Sequence, residues 1–294
     1  MAQLPPLTHA QVFTGTVSLH VVTAGPDDAP PVLLLHGFPE CWWSWSRQIG
    51  PLVDAGFRVI VPDQRGYGQS DKPPRTRDYA MGHLVADIVG LLDALELDRV
   101  HLVGHDWGGA VSWTLALTHP ERIRSFVPMN MPHLGVFLRE VRRWRQLKRS
   151  WYIGAFQVPW LPERLLLRDD CQPLVSALFG NTVHKPFTDH DLAVYRRAWT
   201  QPGAVRGMLS WYRASVRHPA APPPHDTYAG PALMIWGRRD EALGFPMVEP
   251  SAAKLLRGRL EVIDDAGHFV QHDRPDRVNE LLLGFLREVG PTTD

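Results

Sequence analysis

Apolar positions along this chain fall into short unbroken runs set between longer stretches of helical spacing. Residues 30–38 (PPVLLLHGF), 57–66 (FRVIVPDQRG) and 99–105 (RVHLVGH) hold runs with little polar alternation, each ending at a turn. Such runs predict strands buried on both faces. Residues 123–130, 231–237 and 259–265 extend the series. Residues 81–97 carry apolar side chains at three- and four-residue intervals, which predicts a helix. Further helices are predicted over 107–120, closed by Pro120, and over 278–289. Residues 11–24 alternate as two strands of a hairpin. Strands alternating with helices predict an α/β fold, with a mostly parallel central sheet covered on both faces.

From His133 to about Pro219 the strand pattern stops. LGVFLREVRRWRQL and LAVYRRAW have helical spacing, and the proline-rich AAPPPH at 220–225 closes the segment. The expected organisation is a core over 1–132, an inserted helical cap over 133–220, and the rest of the core over 221–294.

Composition narrows the function classes. Formal net charge is zero and the pI about 7.3, and no basic field suggests nucleic acid or an anionic membrane. Cys41 and Cys171 are far apart and outside any C-x-x-C spacing, so no disulfide framework is expected. The N-terminal MAQLPPLTHAQ lacks a signal-peptide pattern, and no run approaches the roughly 18 apolar residues of a membrane span. A cytoplasmic protein is the expectation. No H-E-x-x-H or similar spacing suggests a metal, and no cofactor is expected.

The chemistry is concentrated in LVGHDWGGAV, residues 102–111. A strand runs into Gly104-His105-Asp106-Trp107-Gly108 and a small-residue helix start follows, the outline of a G-x-S-x-G nucleophile elbow with Asp106 in the serine's place. Asp106 could be a helix N-cap and nothing more, but two further residues fall into place. Asp240 follows the strand at 231–237, and His268 follows the strand at 259–265. The order nucleophile, acid, histidine is that of α/β-hydrolases. Glu241, Asp264 and Asp265 are rivals to Asp240, and Asn130 occupies another acid position but is neutral. Phe38, in His36-Gly37-Phe38-Pro39-Glu40, and Trp107 would supply the two backbone N–H groups of an oxyanion hole.

A carboxylate needs no base to attack. On an acyl carbon it would give a reactive anhydride, whereas on a saturated carbon it gives an ester that water can open at the carbonyl. Asp106 therefore points to epoxides, haloalkanes or haloacids as substrates. A departing halide needs N–H donors, but an opened epoxide leaves as an alkoxide and needs a proton, which a tyrosine can supply. Tyr152, Tyr195 and Tyr212 lie in the insertion.

HGFPE at 36–40, GHDWGG at 104–109, the stretch from Tyr152 to Gln157, SWYRA at 210–214 and AGHFVQ at 266–271 together resemble the α/β-hydrolase-fold epoxide hydrolases, through nearly the whole chain. The resemblance implies Asp106 as nucleophile, His268 as base, Asp240 as supporting acid, and Tyr152 and Tyr212 as cap tyrosines on the epoxide oxygen. Tyr195 matches no motif and is assigned to packing. Ile153 stands where some relatives carry a polar residue, which bears on substrate shape. Haloalkane dehalogenase is the alternative, weakened because Phe38 stands where those enzymes often carry an asparagine. A haloacid dehalogenase would want arginine where Trp107 stands, Asp106 argues against an ester hydrolase, and a ligand-binding member without activity is a further alternative. Trp151, Phe156, Trp211 and Phe269, near the motifs, are expected to line an apolar pocket for a small hydrophobic epoxide, with water as co-substrate.

Overall fold

The structure, a computed structural model, describes residues 4–290. The first three residues of the N-terminal stretch and the last four of the second core part lie outside the described residues. Eight strands form one sheet: β1 (Thr8–Phe13), β2 (Ser18–Ala24), β3 (Pro31–Leu35), β4 (Arg58–Pro62), β5 (Val100–His105), β6 (Ile123–Met129), β7 (Tyr228–Gly237) and β8 (Leu255–Ile263). Their order is β1-β2-β4-β3-β5-β6-β7-β8, antiparallel at β1/β2 and β2/β4 and parallel from β4 onward. The hairpin over 11–24 is present, although its first strand begins at Thr8.

The continuous apolar runs are central because both sheet faces are covered. In β3, Leu33 and Leu35 join one core layer while Val32 and Leu34 join the other. Successive strand side chains point to opposite faces, so a strand between two layers turns apolar side chains to both. Helices α1 (Ser46–Asp54), α2 (Met81–Ala94) and α3 (Asp106–Thr118) follow β3, β4 and β5. The sequence pattern does not predict α1, because Pro51 lies inside it. A proline there removes the hydrogen bond to the carbonyl four residues back. That carbonyl, of Arg47, accepts instead from the Asn279 side chain at 2.9 Å.

Between β6 and β7 every regular element is helical: α4 (Leu134–Glu140), α5 (Trp144–Arg149), α6 (Trp151–Ala155), α7 (Leu161–Leu166), α8 (Arg168–Gly180), α9 (Asp189–Trp199) and α10 (Ala204–Arg217). Indoles tie this layer to the core. Trp43 donates to Asp191 at 2.7 Å, Trp211 to the Arg65 carbonyl at 2.9 Å, and Trp199 to the Pro39 carbonyl. The core partners, Pro39, Trp43 and Arg65, all lie in the segments that follow β3 and β4, so the helices sit over the C-terminal edge of the sheet, where open α/β folds bind ligands. Helices α11 (Val248–Ala252), α12 (Val270–Asp273) and α13 (Pro275–Val289) complete the chain. Among the described residues no helix is long and apolar enough to cross a membrane, and none of their His, Cys, Asp and Glu residues are grouped so as to hold a metal.

Candidate active site

β5 ends at His105 and α3 begins at Asp106, whose φ of 50° lies in the left-handed region. A non-glycine residue there carries strain of roughly 1–3 kcal/mol, sustained only by dense surroundings. Two glycines show how dense they are. A Cβ on Gly108 would strike the Leu35 carbonyl, and one on Gly37 would strike the Asp106 side chain itself. The elbow and the end of β3 are in contact through backbone that no side chain could separate.

That contact places the Phe38 N–H 2.7 Å from Asp106 Oδ1. The other oxygen, Oδ2, faces His268 Nε2 at 3.5 Å. Trp107 is an early residue of α3, so its backbone N–H is one of those that a helix leaves without an intrahelical acceptor. The Asp106 side chain keeps 16% of its exposure, which leaves it open to a small molecule.

His268 Nδ1 sits 2.8 Å from Asp240 Oδ2. The carboxylate fixes the proton on Nδ1 and leaves Nε2 for Asp106. Asp240 is buried, and its Oδ1 accepts from the Ala242 and Leu243 N–H groups at 2.8 Å each. Asn130 Nδ2 donates to Asp240 Oδ2 at 2.7 Å, while Asn130 Oδ1 accepts from the Gly237 N–H at 3.0 Å. The neutral residue at 130 thus steadies the acid at 240. The rival carboxylates are engaged elsewhere: Asp264 with Arg238, Asp265 with Arg274, and Glu241 with Arg149 at 3.8 Å.

Aromatic rings close over the carboxylate. Tyr212 lies 5.3 Å from Phe38, 5.1 Å from Trp107, 5.1 Å from Phe156 and 5.8 Å from Tyr152, ring centre to ring centre. α6 brings Tyr152 and α10 brings Tyr212, so two hydroxyls come from separate helices. Trp211 backs this wall against Trp107 at 5.6 Å, and Phe269 packs 5.1 Å from the His268 ring. Trp151 is the exception. Consecutive helical residues point about 100° apart, and with Tyr152 turned inward, Trp151 turns out and is 70% exposed. It does not line the pocket.

The electrostatics follow from burial and neighbours. Burial opposes a charge on His268, but the Asp240 carboxylate and the hydrogen bonds to Asp106 and Asp240 outweigh it and raise its pKa to about 10. Burial likewise opposes the Asp106 charge, yet His268 and the Phe38 N–H hold its pKa below the ordinary carboxylate value. Burial, reinforced by the Asp106 charge, pushes both Tyr152 and Tyr212 upward, so both stay protonated.

A buried polar cluster behind the histidine went unread in the sequence. Glu40 accepts from His272 Nε2 and from the Tyr195 hydroxyl, each at 2.7 Å, and from the Ser44 hydroxyl at 2.8 Å. His105 Nε2 meets the His268 carbonyl at 2.8 Å, and its Nδ1 lies 3.6 Å from Glu40. Burial would raise the Glu40 pKa, but the two histidines draw it well below normal. Tyr195 is therefore more than packing: its hydroxyl ties helix α9 to Glu40. The signal was present in Glu40 itself, an acid beside an apolar strand end.

The chain matches the family model described as alpha/beta hydrolase fold over residues 30–275. It is 41% identical to the AB hydrolase superfamily protein YfhM of Bacillus subtilis over 94% of this chain and 96% of that one. It is 36% identical to human epoxide hydrolase 4 over 95% of this chain and 78% of that one. Among solved structures, a Bacillus megaterium epoxide hydrolase in complex with an inhibitor superposes with a TM-score of 0.84 at 28% identity, covering 95% of this chain and all of the other.

Proposed function

Because this chain belongs to the α/β-hydrolase-fold epoxide hydrolases, we propose that it opens a small hydrophobic epoxide through an ester on Asp106 and releases a vicinal diol. The observation that carries this reading is the Asp106 carboxylate, held by Phe38 and His268, beside the buried Tyr212 and the half-buried Tyr152 from separate cap helices.

In the first step an Asp106 oxygen attacks one epoxide carbon and the carbon–oxygen bond breaks. Tyr152 and Tyr212 hydrogen-bond the departing oxygen, and one gives it a proton. General acid help of this kind contributes about 10²–10⁴ in rate. Asp106 becomes a neutral ester. This removes one of the two carboxylates that hold His268 protonated, so the His268 pKa falls; its proton passes, through solvent, to the tyrosinate left by the first step, and the neutral ring can act as a base. In the second step His268 takes a proton from water, and the water oxygen attacks the Asp106 carbonyl carbon. The Phe38 and Trp107 N–H groups stabilise the oxygen that becomes negative. Asp240 holds the imidazolium, and Asn130 holds Asp240. Collapse of the tetrahedral intermediate frees the diol and regenerates Asp106.

Incubating the purified protein with styrene oxide and, separately, with 1-bromobutane tests the reading. Styrene glycol from the first and no bromide from the second is expected. Bromide release without diol would assign the site to a dehalogenase instead.

A further inference from the structure

Helices α5 and α6 are built inside out. They are separated only by Ser150, whose N–H bonds the Gln146 carbonyl at 2.9 Å although its φ of −92° and ψ of 12° end the first helix. Trp144 and Leu147 fall at i and i+3 of α5, on one face, and Trp151 opens α6. All three are exposed, the two tryptophans by 68% and 70%. Two uncharged polar residues, Gln146 and Ser150, face inward. Gln146 is buried, where it donates to Ser150 Oγ at 3.0 Å and to the Ala242 carbonyl at 2.9 Å and accepts from the Gly244 N–H at 3.0 Å. These bonds fix the rotation of the helix, and the rotation puts the tryptophans in water.

The charge of the same segment is one-sided. Residues 138–155 hold five arginines and one lysine against a single acid, Glu140, in a chain whose net charge is zero. Glu140 pairs with Arg143 at 3.1 Å, and Arg149 reaches Glu241 at 3.8 Å. Among the described residues Arg139, Arg142, Arg145 and Lys148 have no carboxylate within ion-pair distance. Lys148 lies 4.9 Å from the Trp144 ring, so cationic and aromatic groups share one surface.

We propose that the α5–α6 stripe docks on an anionic lipid surface, with Trp144, Leu147 and Trp151 entering the headgroup boundary and Arg142, Arg145 and Lys148 meeting lipid phosphates and carboxylates. Tryptophan and leucine on one face, flanked by arginine and lysine, is the pattern that holds a helix in the plane of a membrane interface. The positive excess selects an anionic surface over a neutral one. α6 also carries Tyr152, one residue from Trp151, so the surface that meets lipid is continuous with the helix that meets substrate. A hydrophobic epoxide dissolved in the bilayer would reach the protein there. That link rests on the proposed reaction, whereas the docking itself does not.

Co-sedimentation of the full chain with phosphatidylcholine vesicles, with and without about 30 mol% phosphatidylserine, tests it. Binding to the anionic vesicles, lost in about 0.5 M salt, is expected. Trp144→Gln with Leu147→Gln, and separately Arg142→Gln with Arg145→Gln, should each weaken binding at least about tenfold while hydrolysing a water-soluble epoxide at the wild-type rate. Absence of binding, or binding that both double variants retain, overturns the proposal. So does concentration-dependent dimerisation by sedimentation velocity that the tryptophan variant abolishes, since a second copy of the chain would then cover the stripe.

Discussion

Asp240→Asn is a sharp test of the site because four donors converge on that side chain. His268 Nδ1 and Asn130 Nδ2 point at Oδ2 from 2.8 and 2.7 Å, and the Ala242 and Leu243 N–H groups point at Oδ1 from 2.8 Å each. A carboxylate accepts on both oxygens, but an amide accepts on one and donates from the other. With its oxygen toward the backbone, the introduced amide turns its NH₂ toward two donors. Flipped, it turns its NH₂ toward two backbone N–H groups. The flipped orientation strands two buried donors and the first strands Asn130 Nδ2, at about 1–3 kcal/mol each, so the better orientation costs roughly 1–3 kcal/mol of stability. In the first orientation His268 is driven to the tautomer protonated on Nε2, which cannot take a proton from water. The acid-to-amide change in a serine-protease triad costs about 10⁴ in rate for the same reason. The assay is a single turnover with excess enzyme, quenched at intervals and read by intact mass. Ester formation should stay within about tenfold of wild type, since Asp106 needs no base. Ester decay should slow by about 10³–10⁴, so the adduct accumulates. Decay within about tenfold of the wild-type rate would refute the reasoning.

His268→Ala removes the base outright. The protein mass should rise by that of the epoxide and stay there, and turnover without any adduct would remove His268 from the proposed role. Tyr152→Phe with Tyr212→Phe keeps the rings and deletes both hydroxyls, so alkylation by an epoxide should fall by about 10² or more with an unchanged circular dichroism spectrum. Normal opening by the double variant would exclude these tyrosines. The ion pair also makes stability depend on pH. The His268 pKa is raised to about 10 from an ordinary 6.5, so its contribution is full below the ordinary value and is lost as pH rises through about 10. Asp106 is depressed, so its contribution is present above the ordinary carboxylate value and is lost in acid. The stability difference between wild type and His268→Gln in urea should shrink between pH 7 and pH 10.5 or so; a difference flat across that range would mean that His268 is not charged in the free protein.

How much the sequence revealed depended on whether a residue's partners were local. The buried strands could be read because a strand covered on both faces is mostly apolar, as all of β3 is and as β5 is apart from His101 and His105, whose rings bond Ser125 and the His268 carbonyl. β7 and β8 begin three and four residues earlier than expected, because Tyr228 pairs with Leu255 ahead of the apolar runs. α1 was hidden by Pro51, whose cost is met by Asn279 from a helix over two hundred residues later. The elbow, the acid and the histidine were visible because each follows a strand end. The Glu40 cluster was not, since it joins a turn after β3 to α9 and α12, and no spacing encodes that meeting. Trp151 misled for a simpler reason: neighbours in sequence are not neighbours on a helix face.

The central claim is a covalent bond between Asp106 and a carbon of the substrate. It is tested most directly by one turnover, with enzyme in excess, in water enriched in heavy oxygen. The account predicts that the first diol carries only ordinary oxygen and that the heavy atom appears in the peptide containing Asp106, because water attacks the ester carbonyl. Heavy oxygen in the first diol and none in that peptide would mean that water attacks the epoxide directly, contrary to the account.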